Sequence, residues 1–102
     1  MLLAIDVGNT NLVFGVYESS NLVASFRTAT HQAYTEDEYG LIFDNLLRSK
    51  GINSRGFEGG IISSVVPSLT TVLEKMCVKY LTFKPILVGP GIKSGINIKY
   101  EN

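Results

Sequence analysis

Met1-Leu-Leu-Ala-Ile-Asp6-Val-Gly8-Asn9-Thr10-Asn11-Leu-Val-Phe-Gly15-Val16 sets two apolar runs on either side of a polar turn. Leu2 to Ile5 are all apolar, the pattern of a buried strand. Asp6 then emerges where full burial stops, because an ionised carboxylate must be solvated, paired or metal-bound. Gly8 lets the backbone bend sharply and approach a ligand closely. Asp6 is a hard oxygen ligand suited to Mg²⁺, directly or through water, and the amides from Gly8 onward can point at phosphate oxygens. Asn9, Thr10 and Asn11 add neutral donors. Nucleotide phosphates need this mixture, since magnesium and aligned donors offset charge as a γ-phosphoryl group moves. The same spacing equally describes a tight hairpin in which Gly and Asn serve turn geometry and Asp6 is solvated at a strand end.

Outward from this turn, residues 11–18 are rich in β-branched and aromatic side chains and read as a second strand. Ser19-Ser20-Asn21 makes a turn and residues 22–28 a third strand, so the chain opens as an antiparallel meander. Residues 29–34 show no clear period. Thr35-Glu36-Asp37-Glu38 fits a capping box, whose acidic residues also suit the helix dipole. The helix it starts would bury Tyr39, Ile42, Phe43, Leu46 and Leu47 and stop at Lys50-Gly51. Residues 58–66 read as a strand feeding Pro67, which suits the first position of a helix. Leu69, Val72, Leu73, Met76, Cys77 and Tyr80 line one side of that second helix. Pro85 to Val88 is a short apolar strand ended by Gly89-Pro90-Gly91. The order β-β-β-α-β-α-β, with right-handed crossovers making the later strands parallel, predicts an α/β fold with a mixed five-stranded sheet and two helices.

The 102 residues allow one domain of modest core and are too few for two. An apolar fraction of 45% and a charged fraction of 18% are ordinary for a globular chain. Nine basic residues balance nine acidic ones, so no global field steers the chain toward nucleic acid or an anionic membrane. Any phosphate affinity is therefore local. One cysteine, Cys77, and one histidine, His31, leave no set with zinc-ligand spacing. The N-terminus lacks the features of a signal peptide, and no apolar run approaches a membrane span, so a soluble, cytoplasmic protein is expected.

Four segments in order resemble the N-terminal part of type III pantothenate kinases: Asp6-Val-Gly-Asn-Thr-Asn11, Asp37-Glu-Tyr-Gly40, Ile61-Ile-Ser-Ser-Val-Val-Pro67 and Val88-Gly-Pro-Gly-Ile-Lys-Ser-Gly95. The resemblance covers nearly the whole chain. It implies one lobe of a kinase of the sugar kinase, Hsp70 and actin superfamily, also labelled Bvg accessory factor-like, in which two ribonuclease-H-like domains close on ATP. Residues 1–102 would be the N-terminal ATPase-type domain, with the second domain absent. Asp6, Val7, Gly8, Asn9, Thr10, Asn11, Leu12 and Val13 would form the first phosphate-binding motif. Within it Asp6 would serve the magnesium ion, and Asn9, Thr10 and the local amides would serve the ATP phosphates.

Tyr100 matches the family position that contacts pantothenate, with a tyrosine on a partly exposed tail strand as the alternative. Tyr100-Glu101-Asn102 matches a Tyr-(Asp/Glu)-Asn of the family. Family members continue past the position of Asn102 into a segment that holds the general-base Asp, so the resemblance implies no catalytic residue within residues 1–102 and a base downstream of Asn102. Their second domain supplies an adenosine-binding glycine motif, a potassium or ammonium site and much of a homodimer contact. The resemblance thus implies pantothenate phosphorylation to 4′-phosphopantothenate, the first step of coenzyme A synthesis, with residues 1–102 alone inactive. A non-catalytic nucleotide-binding or regulatory module is one alternative. A ribonuclease-H-like nuclease with Asp6 in a two-metal cluster is another, and it needs further carboxylates at adjoining strand ends, where the fourth strand offers Ser63 and Ser64.

Other residues read more plainly. Lys93-Ser94 lacks the preceding glycine of a P-loop and reads as part of a flexible Gly-rich loop. His31 reads as a solvated surface residue, and Cys77 as a buried, inert thiol.

Overall fold

The computed structural model describes residues 1–89. Its elements run β1 (Leu2–Val7), β2 (Asn11–Glu18), β3 (Asn21–Ala29), α1 (Glu36–Ser49), β4 (Gly59–Ser64), α2 (Pro67–Met76), a π-helical turn (Cys77–Leu81) and β5 (Ile86–Val88). The five strands form one sheet in the order β3-β2-β1-β4-β5. β1 pairs antiparallel with β2, and β2 with β3, giving the expected meander. β4 lies parallel to β1, and β5 parallel to β4. β1 is therefore flanked by the hairpin on one side and by the helix-connected strands on the other.

Alternation along the central strands decides which face is buried. Leu3, Ile5 and Val7 of β1, with Leu12, Phe14 and Val16 of β2, are almost completely inaccessible. They pack in one core with Tyr39, Phe43 and Leu47 of α1 and Leu69, Leu73 and Met76 of α2. Phe14 lies at its centre, stacked on Phe43 at 3.9 Å between ring centroids and on Phe26 at 4.9 Å. Ala4 and Asp6 project to the opposite face with Leu2, which is 44% exposed. Within the apolar run Leu3, Ala4 and Ile5 are buried as expected, and Leu2 at the start of the strand is the exposed one.

The capping box forms as the sequence predicts. Thr35 Oγ1 accepts from the Glu38 amide at 3.2 Å, and Glu38 Oε1 accepts from the Thr35 amide at 2.9 Å. The helix ends at Gly51, whose φ of 70° is the left-handed conformation in which glycine carries no Cβ penalty. Its interior glycine has a different reason: a Cβ on Gly40 would lie 2.5 Å from the Tyr80 ring.

The second helix departs from expectation. α-Helical geometry stops at Met76, and Cys77–Leu81 widen into a π-helical turn closed by Thr82 at φ 62°. Cys77 and Leu81 stay buried across it. Tyr80 donates its hydroxyl to Asp37 Oδ1 at 2.5 Å while Lys79 Nζ reaches the same oxygen at 2.8 Å. Those two bonds, Lys79 first, hold the Asp37 carboxyl below the usual range. Asp37 thus ties the first turn of α1 to the π-helical turn, a role beyond the capping and dipole read from the sequence.

Cys77 is completely inaccessible, and burial, reinforced by the charge of Glu74, pushes its thiol up to about 12. An unfolded thiol ionises near 8.5, so between roughly pH 8.5 and 12 the unfolded state has lost a proton that the folded state keeps. Stability attributable to Cys77 must fall as pH rises through that window, by up to about 1.4 kcal/mol per pH unit. Urea unfolding of the parent and Cys77→Ala at pH 7.5 to 10.5 should show the steeper decline only in the parent; parallel curves would contradict it.

Candidate functional site

The β1–β2 turn is built from both sides. Along the ladder Val7 pairs with Leu12, and the Gly8 N–H donates to the Asn11 carbonyl at 2.9 Å, leaving Asn9 and Thr10 at the tip. The sequence suggested that Gly8 serves a sharp bend. Gly8 is not among the positive-φ glycines, and the constraint is instead closeness: a Cβ there would lie 3.1 Å from the Asn11 carbonyl oxygen. The backbone comes together tightly where the polar side chains cluster.

Asp6 sits two residues before this glycine, exposed, in register with Val13 on β2 and Ser63 on β4. It therefore stands near the carboxyl end of a strand between an antiparallel and a parallel neighbour. Loops beyond the carboxyl ends of strands are where α/β sheets place their ligands. Asn9, Thr10 and Asn11 are exposed beside it, whereas Leu12 and Val13 are buried and serve as scaffold. The eight expected residues are thus divided: Asp6 and Gly8 to Asn11 form an accessible polar turn, and Val7, Leu12 and Val13 anchor it in the sheet.

Two flanking segments hold the turn and the strand end before it: one at Thr30, which the sequence did not single out, and one at residues 64–66, inside the 61–67 segment quoted above. From the end of β3, Thr30 donates its hydroxyl to the Gly8 carbonyl and its amide to the Thr10 carbonyl, each at 2.8 Å. From the end of β4, the Val65 amide donates to the Val7 carbonyl at 3.0 Å. The Ser64 hydroxyl, buried, accepts from the Val66 amide and donates to the Val66 carbonyl, both at 3.0 Å. This bend leads directly into Pro67 at the start of α2.

The donor set fits magnesium held with a nucleotide better than a metal cage. Magnesium is ordinarily held by one or two carboxylates together with substrate phosphates. Asp6 could supply one such carboxylate, and among the described residues no three His, Cys, Asp or Glu side chains converge on a common point. Asp6 faces Val13 and Ser63 across the ladders, not the second carboxylate that a two-metal nuclease requires. His31 is exposed and stacks on Tyr34 at 4.2 Å, away from any nucleophile role. No helix among the described residues is long and apolar enough to cross a membrane.

The expectations placed on the last residues of the chain fall outside the described part of the structure. Tyr100, read as the pantothenate contact, lies there, as does Asn102, the position beyond which the general-base Asp is expected. Lys93 and Ser94 lie outside the described residues as well.

A cavity of about 550 Å³ lies elsewhere, around Leu2, Ala4, Tyr17, Gly59, Ile61 and Ile86 at the start of β1. It carries no carboxylate and is separate from the turn.

Comparison with known proteins bears on the fold and the family. The architecture resembles a ROK hexokinase from Thermus thermophilus, at a TM-score of 0.63 and 11% identity, over 86% of this chain and 34% of that one. It equally resembles a protein provisionally assigned as an N-acetylglucosamine kinase from Porphyromonas gingivalis, with a TM-score of 0.63 and 16% identity over 88% of this chain and 34% of that one. These likenesses show that the chain shares the fold of the matched part of these two proteins. In sequence, a type III pantothenate kinase from Bacillus cytotoxicus is 50% identical over all 102 residues, which span 39% of its length. The type III pantothenate kinase family model matches residues 2–102, and the chain belongs to that family.

Proposed function

We propose that residues 1–102 form the N-terminal ATPase-type lobe of an ATP-dependent pantothenate kinase. The observation that carries this reading is the placement of Asp6, an exposed carboxylate at the end of a central strand beside a turn whose carbonyls are tied back by Thr30 and Gly8. Tying back carbonyls matters because it leaves the turn presenting amides and side-chain donors in place of repulsive oxygens. Asn9, Thr10 and Asn11 then orient the β- and γ-phosphates, and Gly8 permits their close approach. Magnesium, held by Asp6, would offset the charge of the transferring phosphoryl group.

Pantothenate is the acceptor that family membership supports, with Tyr100 as its contact within this chain. The product is 4′-phosphopantothenate, at the entrance to coenzyme A synthesis, in the cytoplasm. The general base, downstream of the position of Asn102, belongs to the part of the relatives outside residues 1–102. So do the adenosine site, a potassium or ammonium site and a homodimer contact. A positioned base contributes about 10²–10⁴-fold, and holding the reactants between two lobes adds to it. Residues 1–102 by themselves are accordingly expected not to turn over.

The test is ATP-dependent phosphorylation of pantothenate by residues 1–102 alone and by an extended polypeptide, in which they are joined to the remaining part of a full-length family member. Activity in the extended form and none in the short form is expected. Turnover by the short form would contradict the placement of the base beyond Asn102, and an inert extended form would contradict the kinase reading.

A further inference from the structure

We propose that Thr30 is a positioning residue for phosphoryl transfer, fixing the peptide planes of the β1–β2 turn so that its amides meet the phosphates already aligned. The inference rests on the kinase reading above and assigns a role to a residue outside the phosphate motif. Thr30 is 22 positions from Gly8 in sequence, yet it holds two of the turn's carbonyls, those of Gly8 and Thr10, with bonds of 2.8 Å each. The described peptides are trans, and in a planar trans peptide the carbonyl and the next residue's amide point in opposite directions. Holding the Gly8 carbonyl toward Thr30 therefore sends the Asn9 N–H the other way. The bond to the Thr10 carbonyl fixes the Asn11 N–H by the same reasoning. One residue orients both amides.

Thr30 is itself anchored. The neighbouring His31 amide donates to Tyr39 Oη at 2.9 Å, and the Tyr39 hydroxyl donates to the His31 carbonyl at 3.0 Å. Tyr39 is completely buried on α1, and burial raises its phenol above the ordinary range, so it remains a neutral donor. The core thus holds His31 by hydrogen bonds, the peptide bond passes that restraint to Thr30, and Thr30 holds the turn by hydrogen bonds. Loss of the Thr30 hydroxyl frees the Gly8 carbonyl to rotate, and rotation of that peptide carries the Asn9 amide with it. Donors stabilise a developing charge without reorganisation only when they are held in advance, and small misplacements cost rate steeply.

Kinetics of the extended polypeptide test this. Thr30→Val keeps the shape and the backbone bond to the Thr10 carbonyl but loses the side-chain donation to the Gly8 carbonyl, and kcat is expected to fall by roughly tenfold or more. The KM for pantothenate should stay within about twofold, because the acceptor does not bind the turn. Thr30→Ser, which restores the hydroxyl, should recover most of the lost rate. Thr30→Ala gives the same reading should the valine variant not fold.

An unchanged kcat in Thr30→Val would overturn the role while leaving the kinase reading standing. So would a Thr30→Ser variant as slow as Thr30→Val, or losses that merely track thermal stability. Absence of pantothenate phosphorylation in the unsubstituted extended polypeptide would overturn both.

Discussion

Substituting Asp6→Asn in the extended polypeptide should lower kcat/KM for ATP by at least about 10²-fold, since a metal ion supplies several kcal/mol of charge stabilisation. Asparagine keeps the shape and the strand but removes the negative charge and half of the oxygen ligand set. β1 is held by backbone ladders to β2 and β4 on both sides of Asp6, from Leu2 through Val7, and those ladders do not use the carboxylate. The loss should therefore appear in activity and in its magnesium dependence, with the saturating Mg²⁺ concentration raised. Steady-state rates across a magnesium titration check this. A variant with parental rate and parental magnesium dependence would remove Asp6 from the metal role and reduce the turn to a hairpin.

The largest effect on stability is expected at Phe14. Its ring lies between Phe43 and Phe26 at centroid separations of 3.9 and 4.9 Å, in the middle of the layer that joins sheet and α1. Phe14→Ala removes the ring from a site that neighbours on two elements cannot both move to fill. Such truncations cost about 3–5 kcal/mol, a large part of the roughly 5–15 kcal/mol that holds a domain together. Leu41→Ala is the matched control: Leu41 is 61% exposed on the outer side of α1, so its loss should stay within about 0.5 kcal/mol. Urea unfolding of the two variants measures the difference. Equal midpoints would show that the aromatic stack is not the centre of the core.

Much of this architecture was legible in the sequence because local signals and burial agree. Thr35 and Glu38 form both bonds of their capping box, Gly51 takes the left-handed conformation, and Pro67 opens α2. The Asp6 turn was legible for the same reason, since a charge after an apolar run must come to the surface. Three features were not. The π-helical turn at Cys77–Leu81 shares its apolar spacing with an ordinary helix, and the departure goes with Asp37, far earlier in the chain, drawing in Lys79 and Tyr80. The need for glycine at position 8 lies in the approach of the Asn11 carbonyl and not in a positive φ. Thr30 sits in a stretch without periodicity, and its bonds to Gly8 and Thr10 exist only once β3 has paired with β2.

The Ser64-Val65-Val66 bend is a further case. In the sequence Ser63 and Ser64 were part of a segment that resembles the family and stood where a nuclease would need carboxylates. In the fold the Ser64 hydroxyl bonds both the amide and the carbonyl of Val66, and the Val65 amide closes on Val7, which joins the start of α2 to the end of β1. The end of β1 and the turn after it are thereby held from β3 and β4 together, the rigidity that the proposed phosphate role would need.

The most direct test of the central claim is a crystal structure of the extended polypeptide with Mg²⁺ and a non-hydrolysable ATP analogue. The phosphate oxygens should lie about 2.7–3.2 Å from donors of residues 8–11, with the ion bound to Asp6 directly or through one water. A nucleotide whose phosphates sit elsewhere, with the β1–β2 turn and Asp6 untouched, would contradict the account.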